Sequence, residues 1–170
     1  MKTKSNILHI ILFVSMVFCF SCKEREQYPV IPFIENPTVI KIPNISGVDE
    51  KGILKFSFTD GDGNIGLTES DTFPPFNPGS TFYYNLFIKY YEKQHGQYVE
   101  VVLPMTNNSR IPVITPNGEN KSIKGDIEVE LFINNYVSSY DTIVFDVSIA
   151  DRAQNISNTI RTPDVIIKKH

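Results

Sequence analysis

Cysteine, histidine and tryptophan are scarce in this chain of 170 residues, which holds two Cys, three His and no Trp. So few thiols and imidazoles exclude a cysteine-rich zinc module, a multi-bridge disulfide scaffold and a histidine-rich metal centre. The lack of Trp weakens a sugar-binding interpretation without excluding it. An excess of positive charge is missing too, because 16 Lys and Arg stand against 19 Asp and Glu. Nothing in the composition therefore indicates nucleic-acid binding.

The first 21 residues have the pattern of a cleaved signal peptide. Residues 1–6 carry Lys2 and Lys4 without an acidic residue, and residues 7–20 form an almost unbroken apolar run. A membrane-spanning helix needs about 20 apolar residues, and this run is shorter than that before charged residues begin at Lys23. We therefore expect secretion, with residues 1–21 as the leader.

Cleavage after this leader would leave Cys22 at the new N-terminus. The sequence Cys19-Phe20-Ser21-Cys22 resembles the lipobox of bacterial lipoproteins, in a form typical of Bacteroidetes lipoproteins. The resemblance implies lipidation of Cys22 and a lipid-anchored position at the bacterial outer membrane, on its periplasmic or its cell-surface face. Two or more acyl chains hold a protein stably on a membrane. The alternative is an ordinary cleaved signal that leaves Cys22 as a free thiol.

The rest of the chain has the pattern of β-structure. Hydrophobic residues make up 41% of the sequence, including 12 Phe and 8 Tyr, which is enough for a globular core. Residues 22–36, with Pro29 and Pro32, predict an extended tether, and residues 37–170 predict one domain. No segment has helical periodicity. Alternation of apolar and polar residues predicts strands at 38–42, 52–59, 81–92, 97–103, 111–114, 125–133, 142–150 and 158–167.

Short strands separated by turn residues favour an all-β, antiparallel two-sheet sandwich. The segment at residues 61–80 interrupts this spacing, and its Pro and Phe residues predict a compact loop that packs on the domain. The side chains expected to face the core are Leu54, Phe56, Phe58, Ile127, Val129, Leu131, Ile133, Ile143, Phe145, Val147 and Ile149.

The candidate ligands for a cation follow two of these strands. Asp60, Asp62 and Asn64 alternate with glycine, which is how a loop presents oxygen atoms to a hard cation such as Ca²⁺. The loop differs from an EF-hand, which has Gly where Ile65 stands and Glu in place of Asp71. The alternative is a glycine-rich turn whose side chains cap the backbone.

Two segments resemble bacterial immunoglobulin-like domains. They are Phe56-Ser57-Phe58-Thr59-Asp60-Gly61-Asp62-Gly63-Asn64 and Ser148-Ile149-Ala150-Asp151-Arg152-Ala153-Gln154-Asn155-Ile156-Ser157. The second segment is similar to the pattern Asp-x-Ala-Gly-Asn-x-Ser, with Gln154 in place of Gly. The resemblance implies an immunoglobulin-like sandwich in which both loops lie at one pole. Asp60, Asp62, Asn64, Asp151 and Asn155 would then converge on a possible calcium site.

Other residue patterns point to modification, ligand binding or catalysis. Asp141-Thr142-Ile143 resembles the O-glycosylation site of Bacteroidetes periplasmic and surface proteins, with an ordinary strand residue as the alternative. Tyr83 and Tyr91 belong to an aromatic-rich hairpin that could stack on sugars or contact a protein. His95 is expected in an exposed hairpin loop, which does not suit a Ser-His-acid relay. Glu128 and Glu130 are expected on a solvated strand face rather than in a glycosidase site.

These patterns together predict a membrane-anchored envelope lipoprotein without enzymatic activity, which binds an envelope protein or an extracellular ligand. The alternative is a glycan-binding accessory lipoprotein of a nutrient-uptake system. An exposed row of tyrosines would favour sugar, whereas an apolar patch would favour a protein partner. The sequence does not identify the partner.

Overall fold

A computed structural model describes residues 26–114 and 122–169 of the chain. This part contains no helix, and therefore none that could cross a membrane. The predicted signal peptide and Cys22 lie outside the described residues. The strands are β1 (Phe33–Pro43), β2 (Asp49–Asp60), β3 (Leu86–Gln94), β4 (Gln97–Glu100), β5 (Ile123–Phe132), β6 (Thr142–Ile149), β7 (Ile160–Arg161) and β8 (Val165–Ile166).

The strands form two antiparallel sheets, which confirms the all-β prediction and is consistent with a β-sandwich. One sheet has the order β1-β2-β5 and the other has the order β4-β3-β6-β7, with β8 also paired to β6. A single apolar core joins Leu54 and Phe56 of the first sheet to Phe145 and Val147 of the second. All four of these side chains are fully buried.

The predicted inward-facing residues are confirmed along β2 and β6, where alternate side chains are buried from Gly52 to Asp60 and from Phe145 to Ile149, and Val144 is buried as well. Along β5, Leu131 is buried, but Ile127 and Val129 are only partly buried. The difference arises because β5 pairs with β2 on one side and ends its sheet on the other. A strand at a sheet edge has fewer neighbours to cover its inner face.

The first strand begins earlier than the sequence predicts. β1 starts at Phe33, so the last residues of the expected tether pair with β2, and Ile34 is fully buried. The register shifts between Glu35 and Thr38, where Asn36 has a φ of 56°. Proline at position 37 cannot donate to the ladder, and an irregularity at this point removes the need for that donor.

Three other strand predictions need correction. β3 begins at Leu86 rather than residue 81, so Tyr83 lies in the preceding loop. Residues 111–114 form no strand, although Ile111 is buried and Pro112 makes an isolated bridge with Leu67. The last predicted strand is divided into β7 and β8, because Pro163 between them has no N–H to donate.

The long loop at residues 61–80 packs on the domain. Leu67 is buried, and its main-chain N–H donates to the carbonyl of Ile111 at 2.9 Å. The guanidinium of Arg110 donates to the carbonyl oxygens of Thr68 and Asp71 at 3.0 and 3.1 Å. Two side chains and a backbone bond thus fix a segment that has no strand ladder of its own.

The two ends of the sheets define two poles of the domain. The Asp60 pole contains the end of β2 at Asp60 and the end of β6 at Ile149. The Asp49 pole contains the start of β2, where the N–H of Asp49 donates to the carbonyl of Lys168 at 2.9 Å. Eleven residue steps along β2 separate the poles by about 35 Å.

Candidate metal centre

Two loops at the Asp60 pole carry the acidic residues that the sequence singles out. Asp60 is the last residue of β2, and Asp151 follows the end of β6 by two positions. An antiparallel bridge between Ile65 and Asp151 ties the two loops together. The N–H of Arg152 also donates to the carbonyl of Asn64 at 3.3 Å. Residues far apart in sequence, from two different sheets, therefore share one small volume.

The three carboxylates of Asp60, Asp62 and Asp151 meet in this volume. One oxygen from each lies within 4.8 Å of the other two. Asp60 and Asp151 are 0% and 1% exposed, whereas Asp62 is half-buried. A Ca²⁺ ion bound at about 2.3–2.6 Å joins oxygens up to roughly 4.6–5.2 Å apart. The spacing of the three carboxylates therefore suits one shared cation.

The backbone of each loop is held by the same local device. The N–H of Asn64 donates to Asp60 Oδ2 at 2.9 Å, and the N–H of Asn155 donates to Asp151 Oδ1 at 2.8 Å. In both loops an Asp at the end of a strand accepts from the Asn four positions later. The amide groups of Asn64 and Asn155 also donate to Asp62 and Asp151, each at 2.8 Å. Both asparagines thus orient the neighbouring carboxylates.

A turn explains only part of this hydrogen bonding. Three buried oxygens, the Oδ1 atoms of Asp60, Asp62 and Asn64, have no hydrogen-bond partner among the described residues. An ionised carboxylate and an amide oxygen can only accept. Leaving such an acceptor buried without a partner costs about 1–3 kcal/mol. The turn thus leaves three acceptors of this loop without a donor among the described residues.

The electrostatics of the cluster agree with its geometry. Burial raises the pKa of Asp60 to about 6, and the neighbouring charges of Asp62 and Asp151 add to the increase. The hydrogen bond from the N–H of Asn64 offsets part of it. A carboxylate cluster that is costly to ionise is stabilised by a bound cation, because the cation favours the charged form.

Asp71 is a neighbour of the cluster with a different role. Arg152 donates to its two carboxylate oxygens at 2.6 and 2.9 Å, and this pair lowers the pKa of Asp71 well below its ordinary value. Ile65, which occupies the position of the EF-hand glycine, is fully buried. Both observations agree with the expectation that this loop is not an EF-hand.

The remaining predicted residues lie away from the cluster. Thr142 begins β6 and is half-buried, with its hydroxyl donating to Asp141 at 3.0 Å. The guanidinium of Arg110 stands 5.2 Å from the ring centre of Tyr83, and that of Arg161 stands 4.8 Å from Tyr91. One face of each tyrosine ring is therefore occupied by an arginine of the same chain.

The other residues considered for chemistry have surface contacts. Glu128 and Glu130 lie on the exposed face of β5 and pair with Lys55 and Lys51 at 3.1 and 2.7 Å. His95 is exposed, as expected, in a two-residue turn between β3 and β4, where its Nε2 lies 3.0 Å from the hydroxyl of Tyr140.

Two polar residues at the Asp49 pole are not among the predicted site residues. Glu92 is 1% exposed and accepts hydrogen bonds from four side chains. Its sequence signal was present, because Leu86, Ile88 and Tyr90 place it on the inward side of β3. Asn134 follows β5, and both atoms of its amide are buried without a partner among the described residues. No pattern in the sequence marks it.

No protein-family model, curated protein or solved structure matches this chain. Its function must therefore be argued from its own residues.

Proposed function

We propose that this chain is a lipid-anchored, non-enzymatic binding domain of the bacterial envelope, which holds Ca²⁺ at its Asp60 pole. The observation that carries the cation site is the set of three buried oxygens without partners on Asp60, Asp62 and Asn64. Asp60, Asp62 and Asp151 offer three carboxylate oxygens within 4.8 Å of one another, and Asn64 of the same loop adds an unpartnered amide oxygen. An all-oxygen site favours Ca²⁺ over zinc or copper, which prefer nitrogen and sulfur.

Calcium is favoured over magnesium by spacing. Mg²⁺ binds oxygen at about 2.0–2.1 Å in near-ideal octahedra and gives up its water reluctantly. Oxygens up to 4.8 Å apart on three residues suit a larger ion with flexible geometry. The bound ion would neutralise the repulsion between the carboxylates and join the ends of β2 and β6.

Thermal unfolding with Ca²⁺, with Mg²⁺ and with EDTA tests the cation site. Binding to the folded state alone stabilises by about 2.7 kcal/mol at a hundredfold excess of ion over Kd, which is a melting shift of several degrees. We expect Asp62→Ala to remove the shift and Asp126→Ala, on the exposed face of β5, to retain it. If the unaltered protein melts at the same temperature in Ca²⁺ and in EDTA, the loop is only a glycine-rich turn and the cation site is refuted.

The strand order supports an immunoglobulin-like fold for the sandwich. Lettered along the chain with β4 as C′, the sheets read A-B-E and C′-C-F-G, with β7 and β8 as one broken G strand. Immunoglobulin-like domains divide the same strands between their two sheets, apart from a D strand beside E. An experimental structure in which β3 and β5 belonged to one sheet would overturn this assignment.

The N-terminal anchor fits the position of the first described residues. The N–H of Tyr28 donates to Ser122 at 2.7 Å, and Glu26 pairs with Lys124 at the start of β5. The chain thus enters the domain at the Asp60 pole, so a lipid on Cys22 would hold this pole towards the membrane. Cys22→Ala should release the domain from membranes, and an alanine variant that stays with membranes through an alkaline wash would refute lipidation.

A protein partner is favoured over a glycan. Tyr83 and Tyr91, the tyrosines expected to stack on sugar, each have a ring face under an arginine. Exposed apolar residues gather instead at the Asp49 pole, where Met105, Tyr136 and Val137 are 58%, 63% and 94% exposed. Binding of soluble oligosaccharides that is lost in Tyr91→Ala would reverse this preference.

Modification of Thr142 remains part of the proposal. Its hydroxyl is at the start of β6 and bonds only the adjacent Asp141 side chain among the described hydrogen bonds. A glycan would add mass to the mature native protein. An intact mass equal to polypeptide plus lipid would refute this modification.

A further inference from the structure

An apolar groove of about 320 Å³ lies at the Asp49 pole. One wall is the segment after β4, with Leu103, Pro104 and Met105, and the other is the loop between β5 and β6. Tyr136 and Val137 of that loop are largely exposed. We call this surface the Asn134 groove, after the asparagine that lines it. Exposed apolar side chains gathered in one concave site are typical of a binding surface.

Hydrogen bonds from Glu92 and Lys169 hold the loop that forms the second wall. The buried carboxylate of Glu92 accepts from the amide of Asn135 at 2.8 Å and from the hydroxyl of Ser138 at 2.7 Å. Lys169 donates to the carbonyl of Asn135 at 2.8 Å. These bonds fix both ends of the loop that displays Tyr136 and Val137. A surface fixed before binding loses little conformational entropy when a partner arrives.

Asn134 is the unexplained polar group of the groove. Its amide nitrogen and its amide oxygen are both buried, and neither has a partner among the described residues. One unmatched donor and one unmatched acceptor stand side by side on a planar group. Each costs about 1–3 kcal/mol while it stays unpaired. Their natural complement is an acceptor and a donor with the same spacing.

Other asparagines of this chain show that the backbone N–H and C=O of one residue have that spacing. Three other asparagines each use the amide oxygen to accept from the N–H of one residue and the amide nitrogen to donate to the carbonyl of the same residue. The pairs are Asn85 with Ile111 at 2.6 and 3.4 Å, Asn107 with Phe132 at 3.1 and 3.1 Å, and Asn158 with Ile34 at 2.8 and 2.8 Å.

We propose that the Asn134 groove binds an extended peptide segment of a partner protein, with Asn134 pairing to the N–H and C=O of one peptide residue. The apolar side chain of that residue lies against Phe132, Met105 and Tyr136. The asparagine supplies a backbone contact that does not depend on the peptide sequence, and the groove selects for an apolar side chain. This is the division of roles found where extended peptides bind along a protein backbone.

The buried position of the Asn134 amide defines how the peptide enters. Met105 and Tyr136 line the same groove and are 58% and 63% exposed, so the proposal requires that side chains of the groove change rotamer to uncover the amide. Such side-chain changes are common at interfaces whose backbone stays in place. The groove lies at the pole opposite Tyr28, where the chain enters the domain. Binding at this pole requires neither the cation nor the lipid.

A pair of small probes tests the proposal by NMR. The protein, expressed from the full sequence and labelled with ¹⁵N, is titrated with N-acetyl-leucine methylamide and with its analogue methylated on the leucine nitrogen. In the analogue a methyl group replaces the hydrogen of the N–H that would donate to the amide oxygen of Asn134. We expect signals of the Asn134 side chain and of Met105 and Tyr136 to shift at millimolar probe, with binding of the methylated analogue weakened about tenfold or more.

Equal binding of both probes, or no shift at Asn134, would overturn the proposal. If the same signals shift with protein concentration when no probe is present, the groove binds a second copy of the chain, and the proposal of a partner peptide is overturned. The cation site is tested independently, because Asp62→Ala should leave probe binding unchanged.

Stability measurements on matched variants provide the second readout. Leucine has nearly the shape of asparagine, so Asn134→Leu removes two unpaired atoms and should keep or raise the melting temperature. Asn107→Leu breaks two bonds to the backbone of Phe132 and should lower the melting temperature by several degrees. Asn134→Leu should also bind the two probes equally. A loss of stability in Asn134→Leu as large as in Asn107→Leu would mean an internal partner, and the proposal would fail.

Discussion

The two poles of this domain bury carboxylates in different ways. At the Asp49 pole, Glu92 accepts from four side chains, and Asp49 accepts from Lys41 at 2.6 Å and from the N–H of Lys168 at 2.8 Å. At the Asp60 pole, Asp60, Asp62 and Asp151 lie within 4.8 Å of one another with no Lys or Arg among their bonded partners. The buried carboxylates of the Asp49 pole are therefore paired with donors of the chain, whereas those of the Asp60 pole lie beside one another, which supports the cation proposed for that pole.

Ionisation follows the same division. Burial alone would raise the pKa of Asp49, but the hydrogen bonds from Lys41 and Lys168 lower it below its ordinary value. Asp60 accepts from the N–H of Asn64, but burial beside two carboxylates raises its pKa to about 6. Desolvation acts on both groups in the same direction, and the charges beside them, two lysines at Asp49 and two carboxylates at Asp60, separate them.

Removal of the Glu92 carboxylate should have the largest effect. Glu92→Ala leaves the part-buried side chains of Asn135 and Ser138 without their acceptor. At about 1.5–3 kcal/mol for each hydrogen bond to a charged group, we expect the free energy of unfolding to fall by about 3–5 kcal/mol. Urea denaturation measures it. The matched control is Glu130→Ala, on the exposed face of β5, which should scarcely change the midpoint. Equal effects of the two substitutions would mean that the Asp49 pole does not depend on its buried carboxylate.

The second largest effect is expected in the pH dependence of the stability of the metal-free protein, which differs between the two poles. The folded-state pKa of Asp60, about 6, lies above its ordinary value of 3.8, so the folded state binds the proton more tightly. Stability in EDTA should therefore rise as the pH falls from 7 towards 4. We expect about 1–2 kcal/mol, less than the roughly 3 kcal/mol of the full shift, because solvent reaches the half-buried Asp62.

Asp49 contributes a pH dependence of stability with the opposite sign. Because its pKa is lowered in the folded state, stability is lost only when the pH falls below about 4. The control is Asp60→Asn, whose stability in EDTA should lack the gain between pH 7 and 5. In saturating Ca²⁺ the gain should also vanish, because protons compete with the ion. A gain of the same size in Asp60→Asn would assign it to another group.

The junction between the N-terminal segment and the Asp60 pole should contribute less to stability than the Glu92 carboxylate. A Cβ on Gly61 would lie 2.2 Å from the carbonyl oxygen of Tyr28, so Gly61→Ala must displace that segment. We expect a loss of about 1–3 kcal/mol and faster hydrogen exchange at the Tyr28 N–H. Ser122→Ala, which removes only the acceptor of that N–H, should lose less. Unchanged exchange in Gly61→Ala would show that Tyr28 does not pack on this loop.

The smallest expected effect is a gain at Gln154. Its φ is 70°, a left-handed conformation that favours glycine, and it stands where the similar immunoglobulin-like pattern has Gly. Gln154→Gly should raise the free energy of unfolding by about 1 kcal/mol, whereas Gln154→Ala, which keeps a Cβ, should not. A stability gain in the alanine variant alone would contradict the backbone explanation.

Much of the fold could be predicted from local pattern. The alternation of Leu54, Phe56 and Phe58 identified β2, and that of Phe145, Val147 and Ile149 identified β6, because side-chain direction alternates along every strand. Strand ends were less predictable. Residues 111–114 look like a strand, but their backbone partners lie in loops, and the sequence does not reveal partners distant along the chain.

The sequence by itself determined the all-β architecture, the inward faces of β2 and β6 and the acidic loop that follows β2. These features depend on residues close together along the chain, where periodicity and turn preference act. Only the tertiary structure decided that Asp151 meets Asp62, that Glu92 holds the β5–β6 loop and that the Asn134 amide lacks a partner. Such features depend on how two sheets face each other and where loops cross, because a buried polar group is satisfied or left unpaired by neighbours that the fold supplies.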